Sequence, residues 1–168
     1  MKRPITPRGY NALRRELHAL KSQRPEIARA IEIARGHGDL SENGDYDAAK
    51  EKSGMVEAKI RDIEAKLSFA EIIDPRKIPA SSRVVFGTTT RVLDLDSDEE
   101  RVFSLVGADE SNIDKNWISC ESPLGRSLIG KEVGDVVKAK VPGGEREYEI
   151  LEVTVDYQDD TESEQAAE

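Results

Sequence analysis

The sequence predicts an α+β protein: a long antiparallel α-helical coiled-coil hairpin in the N-terminal part, followed by a small antiparallel β-sheet domain with one short helix. Two observations lead to this fold class. Up to about residue 72, apolar residues recur in alternating steps of three and four, which is the spacing of a coiled-coil seam. From Arg83 onward the period changes to two, in segments rich in Val, Thr and Ile, which is typical of strands.

The first arm of the hairpin is predicted to begin at Thr6 and Pro7. Thr6 is a good N-cap, and Pro7 suits the first position of a helix. Pro25 interrupts the arm, and we expect it to bend the helix or to leave a carbonyl unpaired. Arg24 occupies a seam position, where we expect it to set the register or to extend towards solvent. The seam of this arm consists of Tyr10, Leu13, Leu17, Leu20, Arg24, Ile27, Ile31 and Ala34.

The second arm repeats the same spacing in mirror image. Its seam consists of Tyr46, Ala49, Ser53, Val56, Ile60, Ile63, Leu67 and Ala70. When the two seams are paired antiparallel, the residue numbers of every rung sum to 80, from Tyr10 with Ala70 to Ala34 with Tyr46. The fold-back point is therefore residue 40. At the rise of an α-helix, each arm is about 40 Å long.

These patterns divide the chain into four parts. Residues 1–74 form the hairpin, with its tip at about residues 36–45. Residues 75–80 contain two prolines and form a linker. Residues 81–156 form the sheet domain. Residues 157–168 are polar and acidic, and we expect them to be a disordered tail.

The sheet domain is predicted to contain six strands and one helix. Ser122 and Pro123 begin the helix, which runs through about Leu128. Pro142 and Gly143 start the turn of the last hairpin. The strands are predicted at Arg83–Phe86, Thr88–Leu95, Arg101–Val106, Trp117–Cys120, Val136–Val141 and Glu147–Val155.

Charge and composition exclude several classes of function. The net charge of −9 is divided unevenly, with +2 on residues 1–72 and −11 on residues 73–168. This acidity argues against binding to free duplex DNA, which requires a concentrated basic face. The first residues lack the apolar core of a signal peptide, and no apolar run approaches the ~20 residues that span a membrane. We therefore expect a cytoplasmic protein without a membrane partner. Its single cysteine, Cys120, cannot form an internal disulfide.

Three carboxylates, Asp39, Glu42 and Asp45, cluster at the fold-back point. One interpretation is structural, because Asp39 and Glu42 fit a capping box and the helix dipole favours carboxylates at an N-terminus. The other is that Asp39 and Glu42 are oxygen ligands for Mg²⁺, which commonly takes one or two protein carboxylates. Two carboxylates are too few for a tight site, so they would complete a site that already holds a metal and phosphates. Both roles are compatible, since each carboxylate has spare lone pairs.

Three segments resemble the bacterial Gre transcript cleavage factor family. They are Ile5–Leu17, the fold-back segment Ala34–Glu51, and Ser122–Lys131 with the glycine turns that follow it. The resemblance covers nearly the whole chain up to about Val155. Gly44 stands where alanine is common in the family, and we expect it to loosen the start of the second helix. The tip signature consists of Gly38, Asp39, Leu40, Ser41, Glu42, Asn43, Asp45 and Tyr46.

The resemblance implies a fold, a partner and an activity. It implies that the sheet domain is FKBP-like and docks on bacterial RNA polymerase, while the coiled coil enters the secondary channel. The chain would be a transcription elongation factor and not an enzyme. It would stimulate the polymerase's own endonucleolytic cleavage of the nascent RNA 3′ end in backtracked or arrested complexes. The acidic balance and Leu40 resemble the GreA branch of the family more than the GreB branch.

The resemblance also assigns roles to residues. Asp39 and Glu42 match the family's functional pair; they are the candidate catalytic residues and would help to hold a catalytic Mg²⁺ that is shared with the polymerase. No cofactor held tightly by the chain alone is expected, and we expect a monomer. Other candidates are Ser41, Asn43, Asp45 and Tyr46 for tip support, Arg35, Lys50 and Lys52 for RNA contact, and Ser122, Pro123 and Arg126 for polymerase docking.

Some alternatives stay open at this point. Arg35, Lys50 and Lys52 also fit the ordinary solvated charges of a helix surface. The chain could be a secondary-channel regulator that competes with other factors without driving cleavage. An FKBP-like domain also suggests a prolyl isomerase or chaperone, but the sequence shows no convergent cluster of the aromatic residues that line such a pocket.

Overall fold

The computed structural model describes residues 2–36 and 44–158. The chain forms two compact units. The hairpin unit is Asn11–Phe69, and the sheet unit combines Met1–Tyr10 with Ala70–Glu168. Within the described ranges, no helix is long and apolar enough to cross a membrane.

The hairpin is built from helices α1 (Pro7–Ser22), α2 (Arg24–Arg35) and α3 (Gly44–Phe69). As predicted, α1 begins at Pro7, and the hydroxyl of Thr6 accepts a hydrogen bond from the backbone N–H of Gly9 at 3.2 Å. The first arm breaks at Gln23, and Pro25 lies in the first turn of α2. Proline lacks the N–H that a continuous helix would need there, and its ring clashes with the preceding turn. The interruption predicted at Pro25 is therefore confirmed as a break between two helices.

The predicted seam is buried or partly buried along both arms except at Arg24, and its phase continues across the break. Arg24 is the exposed member of the seam. Its guanidinium donates two hydrogen bonds to the carboxylate of Glu57, at 2.8 and 2.9 Å. This confirms that Arg24 extends outwards, and the pair joins α2 to α3 in the antiparallel sense. The fully buried seam residues are Leu13, Leu20, Ile27, Ala34, Val56, Ile60 and Ile63.

A short pair of parallel strands joins the two ends of the hairpin segment. β1 (Arg3–Ile5) pairs with β2 (Ala70–Ile72), and the carbonyl of Ile5 accepts a hydrogen bond from the N–H of Ile73 at 2.9 Å. The sequence analysis predicted neither strand. As a result, the first ten residues lie in the sheet unit, although residues 1–74 were predicted as one hairpin domain.

The buried carboxylate of Glu110 fixes the start of α1 within the sheet unit. It accepts hydrogen bonds from the N–H of Thr6 at 3.1 Å, from the N–H of Gly107 at 2.8 Å and from the hydroxyl of Thr6. Gly9 approaches so closely that a Cβ there would overlap the Glu110 side chain. A buried charge requires such a complete set of donors, so these residues form one interdependent group.

The sheet of the second unit is mixed rather than purely antiparallel. Its strands lie in the order β5-β4-β3-β7-β6, and β5 runs parallel to β4 while the other pairs are antiparallel. The predicted strand at Arg83–Phe86 is wrong, because only Arg83 forms a bridge there, with Glu132. The strands are β3 (Thr89–Asp94), β4 (Glu99–Val106), β5 (Trp117–Ser119), β6 (Val136–Val141) and β7 (Gly144–Thr154).

The core of this unit lies between the sheet and helix α4 (Pro123–Leu128). The hydroxyl of Ser122 caps α4 by accepting a hydrogen bond from the N–H of Gly125 at 3.0 Å, as the sequence predicted. Gly125 packs directly on the carbonyl of Ser119, where a Cβ would not fit. The core consists of Val84, Val92, Phe103, Leu105, Leu124, Leu128, Val137, Ala139, Tyr148 and Ile150.

The chain remains in contact with α1 as far as Gln158. The hydroxyl of Tyr157 accepts a hydrogen bond from the N–H of Arg8 at 2.8 Å, and the guanidinium of Arg8 donates to the carbonyl of Gln158 at 3.2 Å. The predicted start of a disordered tail at residue 157 is therefore wrong, because Tyr157 and Gln158 are held in place. Residues 159–168 lie outside the described residues.

Candidate functional site

Most of the predicted tip lies outside the described residues. Asp39, Ser41, Glu42 and Asn43 belong to residues 37–43, so the roles predicted for them stay predictions. The structure describes the two helix ends that flank this segment.

Tyr46 joins these two helix ends. Its ring lies 6.0 Å from the guanidinium carbon of Arg35 on α2 and 5.2 Å from the ammonium of Lys50 on α3, measured from the ring centroid. Both distances are within the range of a cation–π interaction. Arg35 is the last residue of α2 and Tyr46 lies in the first turn of α3. The contact therefore joins the two helix ends that flank residues 37–43 in the sequence.

The same cluster changes the acidity of Tyr46. The hydrogen bond from Arg35 to the phenol lowers the pKa of Tyr46 below its usual value, and the charge of Lys50 acts in the same direction. Partial desolvation of the ring opposes the shift but does not cancel it. The base of the tip is thus positively charged on the side where Arg35, Tyr46 and Lys50 meet.

The first turn of α3 carries negative charge. Asp45 and Asp47 are exposed there, where the helix dipole favours carboxylates. Asp45, which was predicted to support the tip, is therefore stabilised at this position by the dipole of α3. The parts of the chain that the structure describes contain no group of three or more His, Cys, Asp or Glu residues that could hold a metal.

The structure separates the three residues predicted to contact RNA. Arg35 and Lys50 share one side of the hairpin through Tyr46. Lys52 instead lines a groove with Gln23 and Met55 on another side. Any ligand that contacts Arg35 and Lys50 along one side therefore does not meet Lys52 at the same place.

The residues predicted to dock on the polymerase lie together around the start of α4. Ser122 is partly buried because it caps the helix, whereas Pro123 and Arg126 are exposed. The loop before α4 also carries Glu121, which pairs with Arg3 at 2.5 Å. The start of α4 thus exposes the apolar Pro123 and the charged Arg126, while the other side of the helix packs into the core.

Comparison with known proteins identifies the family. Residues 3–72 match the family described as "Transcription elongation factor, N-terminal", and residues 79–155 match "Transcription elongation factor, GreA/GreB, C-term". The chain belongs to the GreA/GreB family of transcription elongation factors. The family resemblance read from the sequence is thereby confirmed.

Relatives within the GreA/GreB family are similar over most of their length. The chain is 53% identical to transcription elongation factor GreA of Yersinia pestis, and 50% identical to GreA of Alkalilimnicola ehrlichii; each match covers 89% of this chain and 96% of the relative. A solved GreA/GreB structure from Nitrosomonas europaea is 26% identical, with a TM-score of 0.40 over 92% of this chain and 98% of that one. Because this TM-score is below 0.5, the assignment to the GreA/GreB family depends on the sequence matches.

The GreA/GreB sheet unit also contains a cluster that the sequence analysis did not predict. The guanidinium of Arg8 lies between two rings, 3.7 Å from the centroid of Trp117 and 4.9 Å from that of Tyr157. Lys115 and Arg76 approach the same rings, at 4.6 Å from Trp117 and 5.6 Å from Tyr157 respectively. Arg8, Arg76, Trp117 and Tyr157 are far apart along the chain, so no local pattern could have revealed the cluster.

Four aromatic side chains of this GreA/GreB domain are engaged in contacts rather than arranged around an open isomerase-type pocket. Phe103 and Tyr148 pack edge to face in the core, with their ring centroids 6.0 Å apart. The rings of Trp117 and Tyr157 are in cation–π contact with the guanidinium of Arg8. No observation in the described residues therefore favours the prolyl isomerase alternative.

Proposed function

We propose that this chain binds bacterial RNA polymerase and stimulates the polymerase's own cleavage of the nascent RNA 3′ end in backtracked complexes. Family membership supports the partner. The contact between Arg35 and Tyr46 supports the site, because it draws together the helix ends on either side of Asp39 and Glu42. Both carboxylates fall within the short connection between α2 and α3, at the fold-back point of the coiled coil.

In this proposal the hairpin enters the secondary channel and brings Asp39 and Glu42 to the polymerase active site. Their carboxylate oxygens fit Mg²⁺, which the family resemblance implies and which prefers hard oxygen ligands. Two carboxylates leave most coordination positions to other ligands, so the ion is shared with the polymerase. When bound, Mg²⁺ supplies activation of a water and stabilisation of the leaving oxygen.

The residues of this chain then have positioning roles rather than a catalytic cycle of their own. Tyr46 and Arg35 restrain the two ends of the segment that carries Asp39 and Glu42. Arg35 and Lys50 present positive charge beside it, which favours an RNA phosphate nearby. The sheet unit docks through Pro123 and Arg126, whose exposure leaves them accessible to a partner.

The decisive test replaces the two tip carboxylates by their neutral isosteres, Asp39→Asn with Glu42→Gln, in the full chain. RNA cleavage is measured in stalled elongation complexes, and polymerase binding is titrated separately. We expect binding to persist and stimulated cleavage to fall by roughly 100-fold or more, the size of effect seen when a stabilising group is removed from an active site. The matched control, Asp47→Asn with Glu51→Gln, removes the same charge from exposed positions of α3.

Normal cleavage by the tip variant, with normal binding, would remove the role assigned to Asp39 and Glu42. If the tip variant lost stimulated cleavage but kept its full effect on transcription, the competing regulator would be the better description. Equal losses in the tip variant and the control would indicate a general charge effect instead.

A further inference from the structure

The two sides of the hairpin unit, separated by the buried seam, differ in chemistry. One side carries ion pairs between the arms: Lys21 lies 3.7 Å from Glu64, and Arg24 lies 2.8 Å from Glu57. Such cross-arm pairs are typical of a coiled-coil flank that faces water. We call it the charged side.

The opposite side is a groove with small and apolar walls, and we call it the alanine side. Its larger part, about 360 Å³, is lined by Leu20, Gln23, Ala48, Glu51, Lys52, Met55, Val56 and Lys59. It continues into a smaller part of about 70 Å³, lined by Glu26, Ile27, Ala30, Ala49 and Lys52. The groove exists because Ala30, Ala48 and Ala49 are too small to fill the space beside the seam.

Large apolar side chains are exposed along the alanine side. Met55 is 58% exposed and lines the groove. Ile33 is 59% exposed and lies seven residues after Glu26, and Phe69 is 49% exposed and lies two heptads after Met55. Residues seven apart share a face in a coiled coil, so these side chains lie on one strip. Asp62, which pairs with Lys66 at 3.2 Å, interrupts this strip between Met55 and Phe69. An apolar strip of this kind marks an interaction surface.

The rims of the alanine side carry charges of opposite sign. Lys52, Lys59 and Lys66 follow one another at heptad spacing on the α3 rim. Glu26 lines the groove on the other rim, and Glu16 lies one heptad before Gln23, which also lines it. The α3 rim is mainly basic, although Glu51 also lines the groove and Lys66 pairs with Asp62 on the same helix at 3.2 Å.

The charges on the two rims occur at matching heights along the hairpin. By the antiparallel rungs, Lys52 is level with Ala28 and Lys66 is level with Arg14. Glu26 and Glu16 are two residues from these levels, or about 3 Å along the helix axis. A copy of the hairpin laid against this side, with its tip pointing the same way, would therefore bring Lys52 and Lys66, but not Lys59, beside a glutamate.

We propose that the alanine side is the docking surface for a second copy of this chain, packed parallel about a two-fold axis along the hairpins. This axis places α3 of one copy against α1 and α2 of the other. Lys52 then faces Glu26 of the second copy, with this contact made twice. Lys66, which pairs with Asp62 in its own helix at 3.2 Å, lies near Glu16 of the second copy. The result is a four-helix arrangement in which all neighbouring helices are antiparallel.

The size of the surface sets the strength of the association. From Ala12 to Ala30 the strip is about 27 Å long, and two helices side by side are about 20 Å wide, which gives roughly 500 Å² on each copy. Stable interfaces bury about 800 Å² on each partner. The dimer should therefore be weak and depend on concentration. The sequence analysis expected a monomer, whereas this proposal predicts a monomer at low concentration and a dimer at high concentration.

The first test uses a pair of matched substitutions in the full chain. Ala30→Glu places a charge in the groove, whereas Ala28→Glu makes the same change two residues away, outside the strip. Sedimentation equilibrium is measured from micromolar to millimolar protein, and circular dichroism confirms that both variants are helical. Wild type and Ala28→Glu should move towards twice the monomer mass, while Ala30→Glu should remain monomeric. A wild type that stays monomeric throughout, or equal behaviour of the two variants, would overturn the proposal.

The second test identifies which copy supplies each charge. Lys52→Glu and Glu26→Lys should each weaken self-association, because like charges then face each other across the axis. An equimolar mixture of the two variants should associate at least as well as wild type, since every facing pair in the mixed dimer is again of opposite sign. Restoration by mixing can arise only between copies. If mixing restores nothing, the parallel two-fold arrangement is wrong.

Discussion

The guanidinium of Arg8, in the first turn of α1, lies 3.7 Å from the ring centroid of Trp117 on β5. The same side chain donates a hydrogen bond to the carbonyl of Gln158 at 3.2 Å. Arg8 therefore connects three segments of the sheet unit that are distant in sequence. It acts beside Glu110, which binds the neighbouring N–H and hydroxyl of Thr6.

Removing the Arg8 charge should destabilise the sheet unit. A partly desolvated cation–π contact contributes up to about 2 kcal/mol, so Arg8→Leu should lower the free energy of unfolding by about 1–2 kcal/mol. Trp117 is the single tryptophan, so its fluorescence reports unfolding directly. Arg83→Leu is the control, because its exposed ion pair with Glu132 at 3.3 Å should contribute below about 1 kcal/mol. Equal losses in the two variants would contradict the role given to Arg8.

Gly9 and Glu110 should be coupled in stability. Gly9→Ala introduces overlap with the Glu110 side chain and should cost about 1–3 kcal/mol. Glu110→Ala leaves the N–H groups of Thr6 and Gly107 without their acceptor and should cost about 2–3 kcal/mol. The double variant should lose less than the sum, because truncating Glu110 removes the overlap. Urea unfolding of all four proteins measures the cycle, and strict additivity would refute the coupling.

Tyr46 should ionise at lower pH than an ordinary tyrosine. Its pKa is lowered chiefly by the hydrogen bond from Arg35. Because the pKa of Tyr46 is lower in the folded than in the unfolded state, ionisation of Tyr46 stabilises the folded hairpin. This stabilisation is complete above the unfolded-state pKa and is lost as the pH falls through the folded-state pKa. The tyrosinate absorbance of wild type minus Tyr46→Phe gives the transition. Arg35→Gln should move it back upwards, whereas Arg29→Gln, an exposed change on the same helix, should not.

Gly54 should be a site where substitution stabilises the hairpin. It lies exposed in α3, and a Cβ there would meet no heavy atom within 4 Å. Glycine costs about 0.8–1 kcal/mol relative to alanine inside a helix, so Gly54→Ala should raise the free energy of unfolding by about that amount. Gly87→Ala should act in the opposite direction, because Gly87 has φ +87° and a Cβ would lie 3.0 Å from Pro75. Thermal unfolding followed by helical ellipticity and by Trp117 fluorescence separates the two units.

The hairpin could be predicted from the sequence because the spacing of apolar residues that specifies it is local and repeats along both arms. A heptad seam specifies both a helix and its buried side, and the mirrored spacing specifies the partner. Val56, Ile60 and Ile63 are buried for this reason. Arg24 occupies a seam position in the pattern but extends outwards because its charge requires a polar partner, which Glu57 provides. The break at Gln23 follows from the chemistry of Pro25.

Features that depend on distant pairing could not be predicted in this way. β1 and β2 have three residues each, too few for a period, and the sequence analysis predicted neither. β5 was predicted as a strand, but no sequence signal indicated that it runs parallel to β4. The sequence around Glu110 does not distinguish it from a surface glutamate, because its donors, Thr6 and Gly107, contact it only in the folded chain. Arg83–Phe86 has strand-like residues but lacks a neighbour with which to form a ladder, so only a bridge forms. The tip residues Asp39 and Glu42 stay predictions, supported by motif and family.

The pairing of β1 with β2 has a consequence for the lengths that the hairpin arms can have. The chain leaves the sheet unit after Tyr10 and re-enters it at Ala70, so the hairpin is an insertion between two hydrogen-bonded strands. Removing or adding one heptad in each arm would preserve every remaining rung and return the chain to the same strand register. The reach of the arm and the fold of the sheet unit can therefore evolve, or be engineered, as separate variables.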